Sequence, residues 1–407
     1  MCKKNNSSIV LIAAVYYVLQ RVDTETNNPS FCSRHMTHTS EITLIGSGVI
    51  GLLTAREFVK AGFSVTLIDK SLSGQESSWA GGGILLPLYP WRQPQAISTL
   101  VLESIKNYAA LSSELFDSTQ IDPEWYDCGL LICKNPDIEL ASNWCKNNHI
   151  PYSQADSSFF KDLNTKAIMP LWLPTIAQAR NPRLLKSLKA YLLDAGAKFI
   201  ENCEVIDCKI KHGRINTLST NQGNINVNQL IISSGAWTGT LTKKLLPNSR
   251  LTPEISPVKG QMLLFDAKPE TLSHMILDND YYLIPRKDGK ILVGSSVEHC
   301  AFDKSISNET KDKLAGFATE LLPALKEFPL IKHWAGLRPG TKQGIPYIDK
   351  HPEIKNLAIN AGHFRNGLVM GPASAQLMAD LILDRKPCVD PEPYKLRSEN
   401  LISFGSY

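Results

Sequence analysis

Gly46, Gly48 and Gly51, followed 18 residues later by Asp69, are spaced to hold a phosphorylated ligand. Gly46 permits a tight turn, Gly48 lets backbone approach a pyrophosphate, and Gly51 lets a helix pack closely on a sheet. A helix opening at this point aims free N–H groups and its positive dipole end at the phosphates. Asp69 can then accept hydrogen bonds from ribose hydroxyls. Glycine clusters alone are more often ordinary turns, so the flanking elements decide the matter. Residues 42–45 form an apolar run of strand type, 49–61 have helical periodicity, and 64–68 are a second strand that ends at Asp69. Strand, helix, strand and terminal acid in register make a βαβ unit that holds the ADP half of a dinucleotide and leave open which dinucleotide it is.

The bulk properties narrow the partners. At 407 residues the chain forms one large domain or two of ordinary size. Lys and Arg number 43 against 39 Asp and Glu, a net charge of +4 without a long basic run, so nucleic acid is not implied and the substrate is small. Nine cysteines include no CxxC pair. Cys128 and Cys133, like Cys203 and Cys208, are five residues apart, a spacing that on a strand points to opposite faces and argues against a shared metal or disulfide. They read as free thiols in a reducing, cytoplasmic compartment. Residues 1–35 carry Lys3 and Lys4 before an apolar run at 9–19 that is too short to span a bilayer. A poor export signal, a disordered extension and a start codon placed upstream of Met36 are the three readings; the third is preferred, and the extension is expected to pack poorly.

Further along, residues 71–90 hold serines and Gly81, Gly82 and Gly83 between apolar flanks, a composition that cannot form a regular helix and lets backbone lie against a flat ligand. Residues 98–116 read as a helix and 126–133 as a strand. Asn181 reads as an N-cap with Pro182 at the first helical position and Gly196 as the stop. Strands and turns alternate over 198–234, ending at Ser234, Gly235 and Trp237 as a second contact of the nucleotide sheet. Residues 252–294 change to long antiparallel strands, with Asp288-Gly289 as a hairpin turn. A helix follows at 311–328, a strand at 357–360, and a last helix runs from about Pro372 to Leu383. The fold class is α/β, a discontinuous Rossmann-like nucleotide-binding domain combined with an α+β substrate domain built on a largely antiparallel sheet. The expected division gives 41–90, 182–250 and 335–390 to the first domain and 91–181 and 251–334 to the second.

Five stretches make the reading specific: GSGVIG with Asp69, ESSWAGGGILLPLYPW at 76–91, YLIPRKDGKILVG at 282–294, WAGLRPGTKQGIPYI at 334–348 and GHFRNGLVMGPAS at 362–374. Together they resemble the glycine oxidase branch of the D-amino-acid oxidase family of flavoproteins, the branch linked to thiamine biosynthesis. Asp69 stands where many of these proteins carry Glu, and residues 1–35 are not needed by the family pattern. The resemblance implies non-covalent FAD, held by Gly46, Gly48, Val49, Ile50, Gly51 and Asp69. It also implies Lys70, Ser77, Ser78, Ala80 and Gly81 to Gly83, with Glu204, Val205, Ser234, Gly235 and Trp237 beside them. Arg365, Asn366, Gly367 and Leu368 complete the cofactor set, and no metal is expected.

The same resemblance places the substrate-carboxylate arginine at Arg338, its tyrosine partner at Tyr282 and a further pocket arginine at Arg365. A guanidinium fork matches a carboxylate, and a phenol adds a charge-assisted hydrogen bond. No side chain is assigned as acid or base; His363 is read as structural. The implied reaction is oxidation of glycine and small amines (sarcosine, D-amino acids) to the 2-oxo acid, ammonia and hydrogen peroxide, with amino acid and dioxygen as small-molecule partners. The resemblance also implies a link to thiazole synthase. The assembly is expected to be a homo-oligomer, and no membrane span is expected. The rivals are another oxidase or dehydrogenase of the same family and a non-catalytic nucleotide-binding module.

Overall fold

The structure is a computed structural model that describes residues 40–134 and 137–397. The expectations for residues 1–35 fall outside the described residues.

Two sheets position everything that follows. In the first, strands run in the order Tyr347–Lys350, Leu357–Ala361, Gln229–Ile232, Ile42–Ile45, Val65–Ile68, Lys198–Ile200. Every pairing is parallel except that of Tyr347–Lys350 with Leu357–Ala361. The central strands are buried throughout and mostly apolar because helices cover the sheet, as parallel sheets require. The fingerprint helix Val49–Lys60 follows the first strand and packs on the C-terminal helix Gly367–Ile382. The long helix Gln95–Thr119 packs on the same C-terminal helix.

The second sheet is largely antiparallel. Its order is Glu298–His299, Ile255–Phe265, Ile291–Gly294, Tyr281–Pro285, Met275–Asp278, Leu130–Ile132, Leu171–Leu173, Ser153–Gln154, and Leu330–Thr341 pairs with Ile255–Phe265. One pair, Met275–Asp278 with Leu130–Ile132, is parallel. Strands of the first sheet thus come from three separated stretches of chain, with those of the second between them. The expected division at 334/335 falls inside the strand Leu330–Thr341.

Local departures from expectation have identifiable causes. The strand expected at 126–133 is split into Tyr126–Asp127 and Leu130–Ile132 by Gly129, at φ 74°, where a Cβ would lie 1.9 Å from the Trp172 ring. The helix expected over 311–328 ends at Leu321, and Pro323 opens a separate 3-10 segment, Pro323–Glu327. Residues 77–80 make one helical turn inside the otherwise irregular 71–90 stretch. The last helix starts at Gly367, five residues before Pro372, which lies inside it. Proline at 372 has no N–H for the carbonyl of Leu368. The Tyr108 hydroxyl donates to that carbonyl instead, and the Ala373 N–H donates to Ser104 Oγ at 3.0 Å. Both partners stand one turn apart on the helix Gln95–Thr119.

Candidate active site

Four neighbouring strands of the parallel sheet end at one cleft, which is lined just beyond their C-terminal ends by Gly46, Asp69, Ser233 and Gly362. This is the edge at which open parallel sheets bind ligands. At Gly46, φ is +103° and a Cβ would sit 2.4 Å from the Ser233 carbonyl oxygen. At Gly51 a Cβ would lie 2.0 Å from the Gly46 oxygen. Gly51 is the one residue of the expected cofactor set that does not line the cleft; its lack of a side chain lets the helix close over the strand end. Gly48, Val49 and Ile50 do line it. The helix has no side-chain cap, and the Val49 N–H reaches Ser78 Oγ at 2.9 Å.

Asp69 is held firmly. Its Oδ2 accepts from Ser47 N at 2.8 Å and Ser47 Oγ at 2.7 Å, and its Oδ1 accepts from Ser71 N at 3.0 Å. Lys70 lies with Nζ 3.9 Å from the centre of the Trp237 ring, which also stacks on Phe302 at 5.5 Å between ring centres. Glu204, Val205, Ser234 and Gly235 complete this end, along with Thr240 and Lys244, which sequence reasoning did not find.

The glycine loop forms the middle of the cleft. Ser77, Ser78, Ala80 and Gly81 to Gly83 all line it. Gly83, at φ +89°, passes so close to the neighbouring backbone that a Cβ would meet the Ala179 oxygen at 2.0 Å. Asn181 is not the cap of its helix. The helix Asn181–Asp194 begins at Asn181 itself, without a side-chain cap, and Asn181 Nδ2 donates to the Ser78 carbonyl at 2.7 Å. Asn181 therefore ties the loop to the helix and lines the cleft. Arg286, quoted above only as part of a motif, donates through Nη2 to the Gly82 carbonyl at 2.8 Å. Arg286 directly follows the strand Tyr281–Pro285, and nothing in the local sequence signals this contact.

Arg338, Tyr282 and Arg365 meet at the far end. Arg338 lies on a strand, opposite Val258, and not in the loop that its Gly and Pro neighbours suggest. Its guanidinium lies over Gly260, where a Cβ would be 2.0 Å from Nη2. Nη1 donates to the carbonyls of Lys259 at 3.2 Å and Ser296 at 3.1 Å, and Nη2 to Ser295 Oγ at 2.8 Å. All three acceptors are neutral. Burial lowers its pKa to about 10; Tyr282 works against that shift and the charge of Arg365 adds to it, and the group remains cationic at neutral pH. Tyr282 is buried with its hydroxyl 3.4 Å from Met262 Sδ, a weak acceptor. Arg365 Nη2 is buried with no hydrogen-bond partner. The arrangement presents two cations and a phenol to one end of the cleft and is suited to an anion.

His363 lines the cleft as well. Its Nε2 is 3.0 Å from Ser374 Oγ, and burial pushes its pKa down to about 3, so the ring is neutral. Asn366, Gly367 and Leu368 place the uncapped start of the C-terminal helix beside it. That helix starts at Gly367 and not at about Pro372, where the sequence pattern puts it. Among the described residues no group of His, Cys, Asp or Glu could hold a metal, and no helix is long and apolar enough to cross a membrane.

Known proteins are similar to this chain in sequence and fold. The sequence matches the DAO family, FAD dependent oxidoreductase, over residues 41–381. It is 41% identical over 359 residues to a glycine oxidase of Pseudomonas aeruginosa, covering 87% of this chain and 97% of that one. The Bifunctional protein ThiO/ThiG of Synechocystis sp. is 29% identical over 362 residues, which are 86% of this chain and 53% of that one. The crystal structure of glycine oxidase from Geobacillus kaustophilus superposes with a TM-score of 0.82 at 26% identity, over 89% of this chain and 99% of that one.

Proposed function

The chain belongs to the DAO family of FAD-dependent oxidoreductases, and from that premise we propose that it oxidises glycine and small amines such as sarcosine and small D-amino acids. The observation that carries the choice of substrate is the meeting of Arg338, Tyr282 and Arg365 at one end of the cleft, with only neutral acceptors around Arg338.

The glycine cradle fits FAD. Side chains at Gly46 and Gly83 would fill it, and the helix starting at Val49 offers N–H groups there. Gly46, Gly48 and Asp69 would hold the ADP half, with Lys70 and Trp237 beside it. Ser78 and Gly81 to Gly83 would hold the middle, and Asn366 to Leu368 the end near the substrate. The chemistry that FAD supplies when bound is acceptance of a hydride and delivery of the electrons to dioxygen as hydrogen peroxide.

The protein supplies position. Arg338 and Tyr282 fix the carboxylate of glycine, Arg365 adds a second positive charge, and the fixed carboxylate sets the direction of Cα. Neutral His363 takes no proton, in keeping with an amine that enters uncharged. The imine product is hydrolysed to glyoxylate and ammonia or passed to thiazole synthase, a link supported by the bifunctional ThiO/ThiG relative. We assign the strand Leu330–Thr341 whole to the substrate domain and otherwise keep the domain division given by the sequence. The seven described cysteines are free, as in a reducing compartment, and the proposal is of a cytoplasmic homo-oligomer.

Arg338→Met tests the substrate assignment. Losing charge-assisted bonds to the carboxylate raises KM for glycine about ten- to a hundredfold, while FAD stays bound. A colourless variant would place Arg338 in the cofactor site instead.

A further inference from the structure

Arg286 is a buried cation without a carboxylate partner. It is 5% exposed, and its hydrogen bonds go to neutral groups: Nη1 to Gln178 Oε1 at 2.6 Å and Ala179 O at 3.4 Å, Nη2 to Gly82 O at 2.8 Å. Its Nε has no partner. Burial first, and then the charge of nearby Arg180, lower its pKa to about 10, and it remains protonated at neutral pH. Glu124 and Asp288 are engaged by Arg180, each at 3.1 Å. Burying a charge in this way costs stability that an apolar residue of similar volume would not.

The compensation lies in what Arg286 holds. Gly82 lines the cleft, and its backbone rests against the substrate-side wall: a Cβ there would meet Ile284 Cδ1 at 2.8 Å and the Tyr282 ring at 3.2 Å. With the Gly82 oxygen turned toward Arg286, planarity turns the Gly83 N–H to the opposite side of that peptide. Gln178, itself fully buried, accepts from Arg286 and donates through Nε2 to Pro285 O at 2.8 Å, so the clamp spans three segments. A fixed charge one peptide behind a cleft wall, shielded from water, acts strongly on whatever gains negative charge inside the cleft.

We propose that Arg286 is a positioning residue for the redox group: it fixes the Gly82–Gly83 peptide in the cleft wall, and its charge raises the electron affinity of bound FAD. The inference rests on FAD as cofactor and not on the substrate, and both readouts below need no substrate, so it stands or falls apart from the glycine assignment.

The test compares the parent with Arg286→Lys, which keeps the charge but not the fork, and Arg286→Met, which keeps neither. FAD is titrated into each apoprotein, and the flavin midpoint potential is measured in each holoprotein. Arg286→Met is expected to bind FAD about tenfold more weakly or worse and to show a lower potential. Arg286→Lys is expected to bind FAD more weakly yet keep the parent potential. The proposal is overturned if Arg286→Met keeps the parent potential, or if Arg286→Lys falls as far as Arg286→Met or binds FAD as tightly as the parent. Should Arg286→Met fail to fold, Arg286→Lys decides alone, since weak binding at the parent potential supports the proposal and a lowered potential overturns it.

Discussion

Arg338 carries its charge into a pocket whose own acceptors are two carbonyls and a hydroxyl, so the guanidinium is oriented without being neutralised. His363, close by, is the reverse case: burial removes its charge, and its ring serves Ser374. The folded pKa of about 3 lies below the unfolded value of about 6.5, so as pH falls below 6.5 the unfolded chain takes up the proton first. His363 therefore costs stability progressively from about pH 6.5 toward pH 3 and nothing above that window. Denaturant titrations of the parent and His363→Gln should diverge in slope by up to about 1.4 kcal/mol per pH unit between pH 6 and pH 4. Parallel curves would show that the ring is already charged in the fold. At this scale the sequence was informative where a motif surrounded the residue, as with Arg338 and Tyr282. It was silent on Arg286, because nothing local shows that the arginine following the strand Tyr281–Pro285 will find a glycine carbonyl 204 residues away along the chain.

The elements do their work at their ends. The fingerprint turn is closed by Asp69, whose carboxylate holds both the N–H and the hydroxyl of Ser47. Asp69→Ala is expected to lose FAD on dialysis, since it removes the ribose acceptor and loosens the turn together; retention equal to the parent would refute the ribose assignment. The C-terminal helix shows why its start was misplaced. Proline is common in a first turn, so Pro372 read as the beginning, whereas here an interior proline is tolerated because Tyr108 and Ser104 take over the two freed backbone groups. Tyr108→Phe leaves the buried Leu368 carbonyl unpaired and should cost about 1–3 kcal/mol, read as a lowered denaturation midpoint. An unchanged midpoint would mean that the carbonyl finds another donor. Asn181 was misread for a related reason: Asn before Pro is a sound capping signal, but the Ser78 carbonyl that captures its side chain arrives from a distant loop.

For residues 40–397 as a whole, the connectivity explains how chemistry written late in the sequence meets a ligand site written early. Strands of the parallel sheet come from both ends and the middle of the chain, and the antiparallel sheet between them brings Tyr282 and Arg338 to the same cleft as Gly46 and Asp69. The βαβ unit and the antiparallel character of the second sheet were legible from periodicity and turn chemistry. The long pairing of Leu330–Thr341 with Ile255–Phe265 was not, because Gly336, Pro339 and Gly340 look like loop residues until Pro339 is found opposite Pro257. The proposed function has this cleft oxidise a small amino acid held by its carboxylate and pass the electrons to dioxygen. Its most direct test is an aerobic screen of the purified holoprotein with peroxide detection, using glycine, sarcosine, D-alanine and D-proline. Glycine is expected to give hydrogen peroxide, formed one for one with glyoxylate and ammonia; a yellow, folded protein that yields no peroxide with any of the four would overturn the proposed function.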